Sequence, residues 1–402
     1  MTDEIYNPND FSTTESNEFS DIAKKIDKYY PVYPHYLKLS IVNLLDISER
    51  SNVGTESVPI IISIMKKSLN YSYNNFVTLC EILMNITKYR DENREEFVDA
   101  IPIILSALEK WNDKPIILIN ILFFHIIGND SLCWRKCAEA DAIPIFINIL
   151  KKSTNLDLSK RICNGLANML NSPHPDLKTP NYVDGDRITN YDYMEVLIDT
   201  LYTHYKNIEI CENISNIFAY ITSLSYKLTP EYQQIKLKLN PFLIDMLEDY
   251  SDNLNIVEYA SKIILNILND DLLNDDYCKE LIPIVIKILF EFQYDSYIYI
   301  QLSSILSLII SKYPEYILIA KDENIRDALI NVQRYNYYND ELINITGKIL
   351  HRIAEKNFEQ HQHILTSRFH KGCCDICSSN AKEFRGCDEC DYDECLLCSN
   401  YI

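Results

Sequence analysis

The sequence predicts an all-α chain: a solenoid of about seven stacked helical repeats, followed by a small separate module at the C-terminal end. Three observations carry this expectation. A proline-centred apolar motif returns at a near-constant interval. The stretches between motifs are apolar at helical spacing. Seven of the thirteen cysteines crowd into residues 373–398.

In chain order, the first element is the segment 1–35, which opens MTDEIYNPNDFSTTESNEFSD. It is acidic and polar, without a basic start followed by an apolar core, so no signal peptide is expected. It is read as an acidic, partly disordered N-terminal segment. The repeat region is expected over 36–356. Its motif stands as SVPIIISIMKKS from Ser57, AIPIILSALEKW from Ala100, AIPIFINILKKS from Ala142, NPFLIDMLEDY from Asn240 and LIPIVIKILFEF from Leu281. The prolines Pro59, Pro102, Pro144, Pro241 and Pro283 are spaced by 43, 42, 97 and 42 residues. The long interval is about two periods plus an insertion, and MEVLIDTLYTHY from Met194 fills it. IRDALINVQRY from Ile325 extends the series once more. A sustained period of this size is the signature of a solenoid.

Each motif reads as a helix. Proline suits the first helical turn, where its missing N–H has no partner to lose. A second apolar helix follows, as in NNFVTLCEILMNITKY, DLSKRICNGLANMLN, IVEYASKIILNILND and YIQLSSILSLIISKY. Strict alternation of comparable length is not found. The stretch 172–192, SPHPDLKTPNYVDGDRITNYD, breaks the period with three prolines and is expected to be an inserted surface loop. The longest apolar run, IILINILFFHII from Ile116, is shorter than the roughly 20 residues a membrane span needs. A soluble, cytoplasmic protein is expected, with the nucleus as a second compartment.

EADAIPIFINILKK followed by LSKRICNGLANML resembles the repeat of the armadillo family, with Asp141 where that family usually has glycine. HEAT repeats are the structural alternative. The resemblance implies a right-handed superhelical solenoid whose concave surface takes an extended segment of another protein. Within that group, importin-alpha adaptors carry Trp-x-x-x-Asn pairs. Here Asn85, Asn168 and Asn266 stand at the asparagine positions, but Glu81, Asn164 and Lys262 precede them where tryptophan would be. The asparagines are therefore expected to satisfy backbone groups between stacked repeats.

The last element is HQHILTSRFHKGCCDICSSNAKEFRGCDECDYDECLLC. Cys374 and Cys377, Cys387 and Cys390, and Cys395 and Cys398 are three Cys-x-x-Cys pairs. Such a turn brings two thiolates to one tetrahedral ion, so the module, residues 358–402, is expected to bind zinc. The order of pairs suggests cross-bracing. Cys374, Cys377, Cys395 and Cys398 would hold one ion; Cys387 and Cys390 would hold a second, with His361 and His363 completing it. His370 and Cys373 are spare ligands. The stretch resembles protein kinase C-type cysteine-rich domains, in which twelve residues separate the first histidine from the first cysteine, as they separate His361 from Cys374 here. It resembles ZZ zinc fingers equally, and B-box spacing also fits the cysteines. It departs from the cysteine-rich pattern in having Cys395 where histidine is usual, a nine-residue middle spacer, and no final cysteine. Resemblance to ZZ fingers implies a peptide pocket built from Asp388, Asp391, Tyr392 and Asp393.

Composition narrows function further. A net charge of −20 argues against nucleic-acid or membrane partners, which need clustered Lys and Arg, and favours a basic protein or peptide. No phosphate loop, nucleophile elbow or open metal position is found, so no catalytic residue is expected. The leading expectation is a non-enzymatic interaction scaffold. A ubiquitin-pathway adaptor or divergent ligase, and an importin-alpha-like transport adaptor, stand as alternatives.

Overall fold

The computed structural model describes residues 15–30, 32, 37–50, 57–87, 97–111, 114–120, 131–171, 188, 190–224, 230–269, 275–291, 296–322, 325–336, 338–354, 366–373, 380–387 and 392–395. Up to residue 354 the described residues form helices and the turns between them. Two compact units emerge, Met1–Tyr205 and Lys206–Ile402.

In the first unit the helices are α1 (Glu15–Tyr29), α2 (Lys38–Arg50), α3 (Val58–Ser68), α4 (Tyr73–Thr87), α5 (Ile101–Lys110), α6 (Pro115–Asn120), α7 (Ser131–Glu139), α8 (Ala142–Lys152), α9 (Leu156–Asn171) and α10 (Tyr191–His204). The first of these lies inside the segment 1–35 that the sequence set apart. It packs on α2 and α3 and buries Phe19, Ile22, Ala23 and Ile26, because its apolar residues recur at helical spacing. Helical packing thus begins before residue 36. Of the expected loop at 172–192, residues 172–187 and 189 lie outside the described residues, whereas Tyr191 and Asp192 already belong to α10. Asn190 caps that helix by accepting from the Asp192 N–H at 2.9 Å.

The second unit holds two ladders. One stacks α11 (Ile208–Ser223), α13 (Leu254–Asn269), α15 (Ser296–Lys312) and α18 (Asp340–Ala354). The other stacks α12 (Pro230–Asp249), α14 (Asp275–Glu291) and α17 (Ile325–Tyr335); α16 (Ile317–Asp322) leads into α17. Asparagine starts these helices repeatedly: Asn155, Asn207, Asn253 and Asn339 accept from the first-turn N–H groups of α9, α11, α13 and α18. Short carboxamides suit this position because they satisfy donors that have no intrahelical partner.

The prolines divide into two kinds. Pro59 and Pro102 sit in the first turn of α3 and α5, as expected. Pro241 and Pro283 do not; they lie inside α12 and α14, which begin well upstream. Neither PEYQQIKLKL nor DDYCKEL contains a stop signal, so the preceding helix runs on through the proline. The carbonyls that lose their donors belong to Leu237 and Lys279, both exposed residues. Asp141 has φ 63° and ψ 39°, the left-handed conformation that glycine adopts most readily.

Hydrogen bonds between repeats give the period independently. In the first unit, Lys67 donates to the Asp27 carboxylate at 2.7 Å, 40 residues away; Asn85 to Ser48 Oγ at 3.1 Å, 37 away; and Lys110 to the Leu69 carbonyl at 2.7 Å, 41 away. In the second, Asn255 donates to Glu212 Oε1 at 2.7 Å, 43 away; Asn266 to Thr222 Oγ1 at 3.1 Å, 44 away; and Arg352 to Ser311 Oγ at 2.5 Å, 41 away. Each joins one repeat to its neighbour. Beneath them runs a column of small buried residues at matching places on successive helices, including Ser215, Ser261, Ser303 and Thr346. Together these make a helical repeat fold.

After α18 comes a three-stranded antiparallel sheet: β1 (Thr366–Cys373), β2 (Asn380–Cys387) and β3 (Tyr392–Cys395), in the order β1-β2-β3. The sequence did not foretell these strands. Strand β2 lies against α17 and α18, the last two helices of the stack.

Candidate functional site

Two places on the chain bear chemistry: the terminal cysteine cluster and the solvent stripe of the α11–α13–α15–α18 ladder.

Among the expected zinc ligands, Cys387 ends β2 and Cys395 ends β3, while the spare residues His370 and Cys373 lie in β1. Cys374, Cys377, Cys390, Cys398, His361 and His363 lie outside the described residues, as do Asp388 and Asp391. Among the described residues no group of three or more metal-ligating side chains is gathered. The strand register orders the described positions. Thr366 pairs with Gly386 and Cys373 with Asn380, so β1 enters the sheet beside Cys387 and leaves it at the opposite end of β2. Those ends are seven residues apart, about 23 Å at strand rise. Cys387 faces Tyr392, Gly386 faces Asp393, and Cys395 pairs with Phe384, so β3 runs back towards the Asn380 end.

The other six cysteines, Cys80, Cys133, Cys137, Cys163, Cys211 and Cys278, are buried among the helices and form no disulfide. Burial pushes the Cys163 thiol up to about 12 and those of Cys211 and Cys278 to about 11. Such thiols stay protonated at neutral pH, so they act as small apolar packing groups rather than nucleophiles.

Polar and aromatic residues are exposed or half-buried along the ladder: Glu212 and Asn213 on α11, Glu258, Tyr259 and Lys262 on α13, Tyr297 and Ser304 on α15, and Asn344 and Lys348 on α18; the aliphatic Ile208, Leu254 and Leu308 of the same helices are exposed too. Lys262 donates to Glu258 Oε1 at 2.6 Å, and its Nζ lies 5.7 Å from the Tyr259 ring centroid and 5.3 Å from that of Tyr297. Burial pulls the Lys262 ammonium down, but the hydrogen bond to Glu258, that carboxylate's charge and Tyr297 outweigh it and hold its pKa above the ordinary value. The Tyr259 hydroxyl is raised, first by burial and then by the Glu258 and Glu212 charges.

The ladder asparagines differ from expectation in their partners. Asn85 and Asn266 reach hydroxyl side chains of the neighbouring repeat, not backbone groups, and Asn168 donates to Asn164 within its own helix at 2.9 Å. Trp111 packs edge-on to Tyr73 with centroids 5.3 Å apart, and Trp134 is buried.

A cleft of about 250 Å³ lies between the end of α8 and α10, with Lys151 and Ser153 on one side and Asp192, Glu195 and Asp199 on the other. Asp192 and Asp199 are exposed, so it offers neither of them as a shielded acid or base. Among the described residues no helix is long and apolar enough to cross a membrane.

No protein-family model and no curated protein matches the chain. Among solved structures, the crystal structure of an engineered protein is 17% identical, covers 83% of this chain and 78% of its own, and superposes with a TM-score of 0.50. At that identity the likeness concerns the fold alone. A second engineered protein is 15% identical, covering 61% of this chain and 96% of its own, at TM-score 0.39. A structure from work on a phosphorylation switch in the cadherin–beta-catenin interaction is 9% identical, covering 88% of this chain and 100% of its own, at TM-score 0.34. Scores this low carry no argument.

Proposed function

We propose that this chain is a non-enzymatic interaction scaffold of armadillo-like repeats, whose ladder face receives a segment of a partner protein. The observation that supports it most is the α11–α13–α15–α18 ladder, which carries accessible polar and aromatic residues on successive helices and is tied by hydrogen bonds between α11 and α13 and between α15 and α18. Stacked repeats of this kind present long rigid surfaces that suit binding and cannot isolate a reaction from water. Affinity capture from the native cell tests the reading. Wild type is compared with a variant carrying Asn213→Ala, Tyr297→Ala, Ser304→Ala and Asn344→Ala. A partner retained by wild type and lost by the variant, at equal helical signal, bears it out. Equal retention by both overturns it.

The terminal module is a second contact, organised by two zinc ions. Cys374, Cys377, Cys395 and Cys398 hold one, and Cys387, Cys390, His361 and His363 the other. What supports this division is the register of the described strands: β1 starts opposite Gly386, beside Cys387, and ends opposite Asn380, while β3 carries Cys395 away from the Cys387 end. Bound zinc here supplies structure, cross-linking loops too short to bury a core of their own. The carboxylates of Asp388, Asp391 and Asp393, with Tyr392, are the residues that would receive a basic peptide. Metal analysis of protein purified without chelator is expected to give two zinc ions per chain; none would overturn this part.

A further inference from the structure

We infer that Glu212, Glu258, Tyr259 and Tyr297 form a recognition station for a basic side chain of the partner, and that Lys262 of this chain plugs it. The inference deepens the scaffold reading, on which it rests, by naming what the ladder face selects.

The argument begins with charge. Asn255 ties Glu212 of α11 to α13 at 2.7 Å, and the Tyr259 hydroxyl feels both Glu212 and Glu258. Two carboxylate charges thus act on one tyrosine hydroxyl, in a chain of net charge −20. Tyr297 comes from the next helix of the ladder, α15, and is 48% exposed. Two rings and a carboxylate around one point make a cation site, since a ring face attracts positive charge and a carboxylate accepts the ammonium protons. The site holds a cation already. Lys262 Nζ meets Glu258 at 2.6 Å and stands 5.3 and 5.7 Å from the two ring centroids. Its side chain is nevertheless 34% exposed, so a competing Lys or Arg can reach the same partners without opening the core. A partner's basic residue gains affinity only by displacing Lys262, which sets a threshold that isolated basic side chains do not pass.

The experiment titrates a fluorescein-labelled octa-lysine peptide with the full chain at about 0.15 M salt, where long-range attraction is largely screened. Four proteins are compared: wild type, Lys262→Met, Lys287→Met, and Lys262→Met with Tyr259→Leu and Tyr297→Leu. Lys287 is exposed on α14, outside this ladder, and controls for the loss of one positive charge. Lys262→Met is expected to bind about three- to tenfold tighter than wild type, the range of a partly desolvated cation–π contact. Lys287→Met should stay within about twofold, and removal of both tyrosines should abolish the gain. Equal affinity for the two Met variants overturns the inference, as does a gain that survives loss of the rings. Should Lys262→Met lose helical signal, Lys262→Gln is read by the same criteria. The titration addresses the station alone, so it can fail while cellular capture by the ladder face succeeds.

Discussion

The Asn266 carboxamide donates to Thr222 Oγ1 at 3.1 Å, and Thr222 donates in turn to the Ala219 carbonyl of its own helix at 3.3 Å. A relay of two hydrogen bonds therefore joins α13 to the backbone of α11. Breaking it exposes how much repeat stacking depends on side chains. Asn266→Ala is expected to lower stability by about 1 kcal/mol, and Thr222→Val by a similar amount. The double variant should lose less than the sum, because both delete one link. Chemical denaturation of the four proteins measures this.

The left-handed residue Asp141 gives a second test. A β-carbon in this conformation costs about 1 kcal/mol, less for Asp than for most residues. Asp141→Ala should destabilise by roughly that amount, whereas Asp141→Gly should stay within about 0.5 kcal/mol of wild type. Equal losses would mean that the side chain, not the backbone angle, matters at this turn.

Buried thiols predict an alkaline limit. Burial raises Cys163 from the ordinary 9.0 to about 12. An unfolded chain releases that proton above pH 9 while the folded chain keeps it to about 12. The unfolded state then binds fewer protons, and stability falls as pH rises between those values. Cys163→Ala should flatten that slope. Thiol titration at pH 7.5 should find none of the six helical cysteines reactive until denaturant is added.

The terminal sheet lies against α17 and α18, so its removal should be felt there first. A chain ending at Lys356 is expected to keep most of its helical signal, since repeats stack by nearest-neighbour contacts. Amide exchange in α17 and α18 should speed up, with α13 unchanged. Faster exchange along the whole second unit would mean that sheet and helices fold as one.

On the terminal module, changing Asp391 and Asp393 together to Asn should weaken a basic peptide's binding and its salt dependence while leaving zinc content intact. Loss of zinc instead would assign the carboxylates to the metal's support.

The helices were readable because their determinants are local. Proline in a first turn at Pro59 and Pro102, apolar spacing in DLSKRICNGLANMLN and the 42-residue period all lie within one repeat. Pro241 and Pro283 misled because their place in the helix depends on whether the upstream chain is helical, and proline itself does not say. The partner of Asn266 lies 44 residues away, so position was legible but contact was not. In the terminal module, metal-ligand spacing hid the strands. TSRFHKGC and NAKEFRGC have few β-branched residues, and their pairing comes from register across a hairpin rather than from propensity. The Lys262 cluster draws on three helices, and only its i,i+4 Glu258 pair could be read from one segment.

The inter-repeat bonds each bridge one period and no more, which has a mechanical consequence. Pulled from its termini, such a unit bears tension in series, so no bond shields a distant repeat from load. The least secured repeat peels first and releases about 42 residues, roughly 140 Å of slack, before the next comes under strain. A force trace should be a sawtooth whose tooth width equals the sequence period, and Asn266→Ala should lower one tooth without moving the others.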